Sequence, residues 1–314
     1  MLFIAFGLNE SSVALSRSMP LNPSTSNSSL LFADGEHNIV AAGDWTCNAE
    51  SQRTIDNVFK FNPDLVITAG DHVRNQTSAD CWTEMTAKIK DKMKIAIGNH
   101  DVEFEKIYKE IVEYHNLKNP YYSYDFQNIH FISLSTEHPF GEESSQYEFI
   151  KNDLDKTSKN PAIDWIVVHQ HKPMYSTNTD KAQAEMLRGL YHQLFQRYDV
   201  DLVISGHNQY YERTYPILYN ETDEWTSNSF DIPDPIIAAD HRSEYLPTNG
   251  IVFLSVGTAG DKLHPVRETH DYHVIQESQH GFLNLELSSH GKNLKGQFYN
   301  NDGMILDNFV LYER

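Results

Sequence analysis

The chain has 314 residues, of which 39% are hydrophobic and 12% aromatic, so it can bury a large core and is too apolar to be disordered throughout. Its formal net charge of −19 repels polyanions, and no cluster of Lys and Arg offers a track for a phosphate backbone, so nucleic acid is not expected as a partner. No apolar run reaches the roughly 18 residues that a membrane-spanning helix needs, so no membrane span is predicted.

The N-terminal segment is predicted to stand apart from one folded domain at 36–314. Residues 2–8 are apolar and residues 16–29 are rich in Ser, Asn and Pro, as in a linker after an export signal or short anchor. No basic residue precedes the apolar run, so residues 1–35 are either a disordered tail or the remnant of a signal or anchor with its linker. An extracellular or cell-surface location is slightly favoured over a cytoplasmic one.

From residue 37 onward, apolar runs bounded by turn residues alternate with segments of helical period, which indicates strand–helix–strand units. The predicted strands are 37–42, 64–69, 93–97, 129–135, 164–170 and 200–205. The predicted helices between them are 50–60, 79–90, 102–116, 143–157 and 180–197. The spacing of Ile55, Val58 and Phe59 illustrates the amphipathic pattern on which the helices rest.

Beyond residue 210 the pattern changes to β segments without intervening helices. These segments are 210–219, 249–256, 281–288, 293–299 and 304–312. They predict a second, largely antiparallel sheet. Residues 220–248 are dense in acidic residues and interrupted by prolines, so they are predicted to form one long surface loop, and such loops often cover a site.

Polar residues follow five of the strand-like runs. The segments are AAGD ending at Asp44, TAGD ending at Asp71, IGNHD at 99–101, VVHQHKP around His171, and ISGHNQ around His207. One Gly-Asp pair after a strand is usually an ordinary turn. Five such segments in order are different, because α/β sheets present carboxylate, amide and imidazole ligands for metal ions at the carboxyl ends of their strands.

This ordered set resembles the calcineurin-like metallophosphoesterases, from about Asn38 to the C-terminus. Gly-Asp-Trp, Gly-Asn-His-Asp, His-Lys-Pro-Met-Tyr and Gly-His-x-x-x-Tyr-Glu-Arg resemble the purple acid phosphatase branch. The resemblance implies an α/β fold for residues 36–314, a four-layer αββα sandwich with two central mixed sheets. It also implies hydrolysis of a small phosphorylated substrate by a metal-bound hydroxide. The oligomeric state is left open.

The resemblance implies a complete second metal site, whose ligands are Asp71, Asn99, His171 and His207. Asp71 would bridge to the first metal, and the ions expected are Fe, Zn or Mn, with one tight site and a possible second. His171 is assigned as the ligand because it stands two residues before Pro173. His169 shares its strand face but is expected to be packed in the core.

The first metal site departs from the family pattern at two positions. Asp44 and Asp71 are retained, but Arg74 stands where the family has a Tyr ligand and Gln209 where it has a His ligand. A guanidinium is permanently charged and binds carboxylates or phosphate bidentately, so Arg74 could partly fill the place of the first metal. Alternatively, Arg74 swings to solvent, and the remaining three residues bind a weaker ion with water.

His100 follows Asn99 where the family keeps a histidine that hydrogen-bonds the phosphate or protonates the leaving group. Asp101 is expected to orient His100, and Arg74 is counted with these catalytic residues. The rival interpretation is a degenerate, non-catalytic member of the fold that binds phosphate or metal. A phosphodiesterase is a third interpretation, disfavoured by the net charge.

The chain contains two cysteines, Cys47 and Cys81, each a few residues after a strand-ending Gly-Asp pair. They could therefore meet and form a disulfide, which would stabilise the fold by roughly 3–4 kcal/mol in the chain-entropy model and would fit an exported protein. The alternative is a pair of unrelated buried thiols.

Overall fold

The computed structural model describes residues 36–74, 76–177, 181–220, 234–247, 250–266 and 269–313. The predicted tail at 1–35 lies outside these ranges, so its boundary with 36–314 stays a prediction. In the described ranges, no helix combines the length and apolar character needed to cross a membrane.

The N-terminal half alternates strands and helices, as the sequence predicts. Its elements are β1 (His37–Ala42), α1 (Ala49–Phe61), β2 (Leu65–Ala69), α2 (Asp80–Thr86), a 3-10 turn (Lys90–Lys92), β3 (Met93–Ala96), α3 (Asn99–Glu103), α4 (Glu105–Tyr114), β4 (Tyr122–Phe126), β5 (Ile129–Ser133), α5 (Ser145–Thr157) and β6 (Trp165–His169). The helix predicted at 102–116 is divided, because Phe104 has an extended backbone with φ −123° and ψ 119°. Helix α1 begins where the Asn48 side chain accepts a hydrogen bond from the Ser51 amide, a typical N-cap.

The C-terminal half is mostly β structure. Its elements are α6 (Lys181–Leu187), a π-helical turn (Arg188–His192), α7 (Gln193–Arg197), β7 (Leu202–Ser205), β8 (Tyr211–Thr214), β9 (Ile217–Leu218), β10 (Ile236–Ile237), β11 (Glu244–Tyr245), β12 (Val252–Val256), β13 (His273–Glu277), β14 (Gly281–Leu287), β15 (Asn293–Asn300) and β16 (Ile305–Tyr312). The loop predicted at 220–248 contains two short strands in its described part. Residues 221–233 lie outside the described residues.

Two seven-stranded sheets form the centre of the fold, in the orders β11-β16-β15-β14-β1-β2-β3 and β13-β8-β12-β7-β6-β5-β4. Strands β1, β2 and β3 are parallel, as are β5, β6, β7 and β12. The C-terminal segments do not make a separate sheet, which corrects the prediction. Strands β14–β16 extend the first sheet from the free edge of β1, and β8, β12 and β13 extend the second.

The apolar cores confirm the four-layer arrangement. One core contains side chains of both sheets, among them Ile39, Ile67 and Val167. A second core lies on the other face of the second sheet, where α5 and the helical segment 181–197 cover it. On the outer face of the first sheet, Phe61 of α1 packs its ring 5.1 Å from that of Phe282. Full burial of one such side chain stabilises the fold by about 1.5–3 kcal/mol.

The parallel strands bring the predicted site segments to one edge. The amide of Asp44, after β1, donates to the carbonyl of Gly70, after β2, at 3.0 Å. The amide of Gly206, after β7, donates to the carbonyl of His171, after β6, at 2.8 Å. Backbone hydrogen bonds therefore fix the loops that carry the candidate site residues.

Candidate metal centre

Three predicted site residues have left-handed backbone conformations. Asp44, Asp71 and His207 follow β1, β2 and β7 and have φ values of 59°, 53° and 69°. Residues other than glycine rarely adopt positive φ, and the strain that this costs collects at functional sites. Gly70, with φ 84°, permits the turn before Asp71, and a Cβ there would lie 2.5 Å from Nδ1 of His171. The turn is therefore built for a close approach of that imidazole.

Four side chains converge in what we term the second half-site, made of Asp71, Asn99, His171 and His207. Oδ1 of Asn99 lies 3.0 Å from Nε2 of His171 and 3.0 Å from Nδ1 of His207. The two ring nitrogens are 3.2 Å apart, and Oδ2 of Asp71 lies 3.4 Å from Nε2 of His171. Ligand atoms of Asp44, Asp71 and His171 also lie within 4.8 Å of one another. The fold thus brings the four predicted second-site ligands together.

The backbone orients the ring of His171. Its Nδ1 lies 2.8 Å from the carbonyl oxygen of Ala69, which can only accept a hydrogen bond, so Nδ1 carries a proton. In the neutral ring, Nε2 then directs a lone pair toward the oxygen of Asn99. Two lone pairs at this distance repel unless a proton or a metal ion lies between them. A ring fixed through its other nitrogen in this way is the usual form of a metal-binding histidine.

The second half-site favours positive charge. Burial alone would lower the pKa of His171, but the carboxylates of Asp71 and Asp44 outweigh it and raise that pKa to about 10. Burial would raise the pKa of Asp71, yet the charge and hydrogen bond of His171 hold it below its ordinary value. Burial and the charge of His171 lower the pKa of His207 to about 3. A set of imidazole, amide and carboxylate donors that stabilises a buried positive charge fits a divalent or trivalent metal ion.

In the first half-site, made of Asp44, Asp71, Arg74 and Gln209, one hydrogen bond joins two members, Gln209 and Asp44, and the other partners lie outside the set. Asp44 is fully buried, and burial raises its pKa to about 7. Its Oδ2 accepts from the His207 amide at 2.6 Å, and its Oδ1 accepts from Nε2 of Gln209 at 3.1 Å. Oε1 of Gln209 is buried and has no hydrogen-bond partner among the described residues. Both oxygens of Asp44 therefore face N–H donors, while the amide oxygen of Gln209 is left without a partner in the part of the chain that the structure describes.

Arg74 adopts neither of the two positions that the sequence left open, because its guanidinium forms an ion pair with Asp261 rather than with Asp44 or Asp71. The side chain is 33% exposed, so it is not released to solvent either. The Asp261 amide donates to the carbonyl of Asp44 at 2.9 Å, which places this ion pair beside the first half-site. Asp261 was missed, although it ends a Gly-Asp pair after β12 and so repeats the signal of the other strand ends.

Asp101 is buried and collects N–H groups from the loops that carry Asp71 and Asn99. Its Oδ2 accepts from the amides of Gly98 and Asp71 at 2.8 and 3.1 Å, and its Oδ1 accepts from the His72 amide at 2.8 Å. Nδ1 of His72 lies 2.9 Å from Oδ2. The prediction that Asp101 orients His100 is therefore wrong. From the third position of α3, the carboxylate turns back toward the helix start, as in a capping box.

His100 lies at the rim of the centre. Its amide donates to Oδ1 of Asp71 at 2.9 Å, and its Nδ1 lies 3.0 Å from Oε2 of Glu103. Glu103, rather than Asp101, therefore contacts the ring of His100. His169 is fully buried and lies 3.4 Å from the hydroxyl of Tyr124, as expected of a packed histidine.

Cys47 and Cys81 form a disulfide, with a Cα–Cα distance of 5.9 Å, which confirms the prediction. The bond links the segment after Asp44 to α2, which follows the segment carrying Asp71. It therefore joins the two loops from which the carboxylates of the first half-site come.

Comparison with known proteins finds purple acid phosphatases and related enzymes among the relatives. Purple acid phosphatase 21 of Arabidopsis thaliana is 30% identical over 200 residues, which are 57% of this chain and 44% of that protein. Phosphoenolpyruvate phosphatase of Allium cepa is 25% identical over 308 residues, covering 87% of this chain and 60% of that protein. The chain spans about half the length of the curated relatives it matches.

A solved structure and a family profile agree with these relatives. The purple acid phosphatase PPD1 from yellow lupin (Lupinus luteus) seeds shares the fold with a TM-score of 0.66, at 19% identity, over 88% of this chain and 54% of that one. The sequence model of the calcineurin-like phosphoesterase family matches residues 37–211, more than half of the chain. Its similarity to purple acid phosphatases supports the purple-acid-phosphatase-like branch, and the chain belongs to the calcineurin-like phosphoesterase family.

Proposed function

We propose that this protein is a metal-dependent phosphatase that hydrolyses small phosphate monoesters. The observation that carries the proposal is the convergence of Asn99, His171 and His207, whose facing atoms lie 3.0–3.2 Å apart. Such a triangle of nitrogen and oxygen atoms is stable when a cation lies among them. Together with Asp71, it supplies the mixed imidazole and oxygen donors that Zn, Fe or Mn prefer.

The second half-site would hold the ion, with His171 fixed from behind by the Ala69 carbonyl and Asp71 fixed by the amide of His100. Bound there, an ion neutralises charge on a phosphoryl group and lowers the pKa of a water molecule. The chain's own part is to orient the ligands before substrate arrives. Left-handed backbone at Asp71 and His207 aims both side chains at the same point.

His100 is proposed to protonate the leaving group. Its side chain is 22% exposed, so substrate can reach it, and Glu103 accepts from Nδ1 at 3.0 Å. That hydrogen bond leaves Nε2 to donate its proton to the oxygen that departs when the phosphorus–oxygen bond breaks. His100 and Glu103 are thus the acid and the residue that orients it.

The charge distribution supports a small substrate. A net charge of −19 repels long polyanions. The cations Arg74 and Lys172, which directly follows His171, are each paired with a carboxylate, Asp261 and Glu137 respectively. A compact phosphate ester meets less of this acidic surface than a long polyanion does. The disulfide supports an extracellular or cell-surface location, where such bonds persist.

Hydrolysis of p-nitrophenyl phosphate after metal removal tests the proposed function. Protein stripped with a chelator should lose turnover and regain it with Zn, Mn or Fe. His171→Ala should remain inactive with every ion, whereas His290→Ala, a change at an exposed histidine of a β-turn, should behave as wild type. If no ion raises turnover above that of His171→Ala, the proposal is wrong.

The replaced first-site residues favour a second candidate, a non-catalytic member of the fold that binds phosphate. Arg74 and Gln209 stand where the resembling family has metal ligands. Such a protein would bind inorganic phosphate in calorimetry but would not turn over the ester. Parallel assays with bis(p-nitrophenyl) phosphate separate a phosphodiesterase from a monoesterase.

A further inference from the structure

In the first half-site, Gln209 presents an N–H donor to Asp44, where a metal ligand would present a lone pair. Nε2 of Gln209 donates both to Oδ1 of Asp44 at 3.1 Å and to the carbonyl oxygen of His207 at 2.9 Å. These two acceptors fix the orientation of the amide, so its nitrogen faces Asp44. Turning the amide to offer its oxygen instead would break both hydrogen bonds and set its oxygen against two acceptors.

Each oxygen of the Asp44 carboxylate already accepts a hydrogen bond. The second oxygen accepts from the His207 amide at 2.6 Å, and the residue is fully buried. An ion that used Asp44 would therefore compete with the N–H of Gln209 for one oxygen and with the His207 amide for the other.

Arg74 is paired with a carboxylate that is joined to the loop of Asp44. Its partner Asp261 is tied by its amide to the Asp44 carbonyl at 2.9 Å and by its carbonyl to Nε2 of His280 at 2.8 Å. Both charged side chains are partly shielded, at 33% and 14% exposure. The guanidinium offers no lone pair to a metal, and Asp261 fixes its position.

We propose that the protein holds one metal ion, in the second half-site, and that the Gln209 amide and the Arg74–Asp261 ion pair fill the first half-site in place of a second ion. The inference rests on the proposed function for the ion in the second half-site. It assigns a structural partner to each of the two replaced positions. It also gives Asp261 a role, as the carboxylate that positions Arg74 next to the centre.

Metal stoichiometry tests this inference without an activity assay. Chelator-stripped protein is titrated with Zn or Mn by calorimetry, and the metal retained after gel filtration is measured by elemental analysis. Wild type should bind one equivalent per chain. Arg74→Tyr with Gln209→His supplies two lone-pair donors and should bind two. Asp261→Asn, which frees the guanidinium but adds no ligand, should still bind one.

A matched control removes the effect of composition alone. Gln52 and Arg53 are exposed neighbours on α1, so Arg53→Tyr with Gln52→His makes the same changes away from the centre. This variant should bind one equivalent, and its circular dichroism spectrum and that of the site variant should match wild type. Two equivalents in the control would show adventitious binding by the new histidine and would remove the support given by the site variant.

The outcomes separate this inference from the proposed function. Two tight equivalents in wild type would overturn the single-ion centre and leave the phosphatase proposal intact. One equivalent without turnover would support the single ion and contradict the phosphatase. No bound metal would overturn both. A folded site variant that stays at one equivalent would show that Arg74 and Gln209 do not block the first half-site.

Discussion

The two half-sites share Asp71 but differ in how their polar atoms are matched. In the second, Nε2 of His171 and the oxygen of Asn99 face each other at 3.0 Å, a contact that either a proton on the ring or a metal ion can occupy. In the first, Gln209 already donates an N–H to Asp44 at 3.1 Å. The balance of donors and acceptors, rather than the number of carboxylates, indicates which half is arranged to accept an ion.

Long-range partners produce this difference. The ring of His171 is fixed by the carbonyl of Ala69, 102 residues away, and Gln209 reaches Asp44 across 165 residues. Both contacts depend on the loops that meet at one edge of the two sheets. The predictions below follow the expected change in metal affinity, from the largest to the smallest.

Removing a ligand of the second half-site should have the largest effect. His207→Ala deletes one of the two imidazoles, so metal affinity should fall by more than the roughly 10–100-fold typical of groups behind the ligands. Calorimetric titration with Zn measures the change, and His290→Ala is the matched control. Wild-type affinity in His207→Ala would show that the ion does not bind between the imidazoles.

The second-largest loss of metal affinity is expected at Asp101, whose carboxylate holds the loops that carry Asp71 and Asn99. Asp101→Asn cannot accept N–H groups with both atoms of its side chain, so the loops of Asp71 and Asn99 should loosen and metal affinity should fall about 10–100-fold. The free energy of unfolding should also drop by about 2 kcal/mol, because hydrogen bonds to a charged acceptor are lost. Urea unfolding measures it, with the exposed Asp56→Asn as control. If Asp101→Asn kept the wild-type metal affinity, Asp101 would have no part in positioning the metal ligands.

The disulfide should matter for stability more than for metal affinity. Its sequence separation is 34 residues, so replacing both Cys47 and Cys81 by Ser should lower the free energy of unfolding by about 3–4 kcal/mol. Three of the four second-site ligands, Asn99, His171 and His207, lie on segments that the disulfide does not join, so the ion should be held within about tenfold of wild type. Loss of metal from a still-folded variant would contradict this division between the halves.

The smallest change is expected at Gln209. Gln209→Ala removes the hydrogen bonds to Oδ1 of Asp44 and to the carbonyl of His207 but no ligand of the second half-site, so metal affinity should change by at most about tenfold. Titration beside His207→Ala compares the two halves directly. A loss as large as that of His207→Ala would make Gln209 a ligand.

Local pattern was enough to predict most strands, the helices and the segments that meet at the centre. Gly-Asp and Gly-His turns after buried strands require little more than short-range chemistry, as at Asp44 and His207. The pairing of strands was not predictable in the same way. Strand β14 lies beside β1, with Leu285 opposite Ile39, and nothing near either residue in the sequence specifies that partner.

The side-chain partners at the centre show the same limit. Arg74 pairs with Asp261 across 187 residues. The side chain of Asp101 accepts hydrogen bonds at the start of its own helix instead of contacting His100. In each case the residue type indicates the kind of partner, a carboxylate for Arg74 and N–H donors for Asp101. The sequence contains several such partners and does not specify which one is used. Which one is used depends on the loops that the two sheets place beside it.

Anomalous diffraction from crystals grown with Mn or Zn tests the central claim most directly, because it locates each bound ion among the side chains. Data collected at the absorption edge of the metal should show one strong peak, between His171, His207 and Asn99, with Arg74 still on Asp261. A second peak of comparable height between Asp44 and Asp71 would contradict the account.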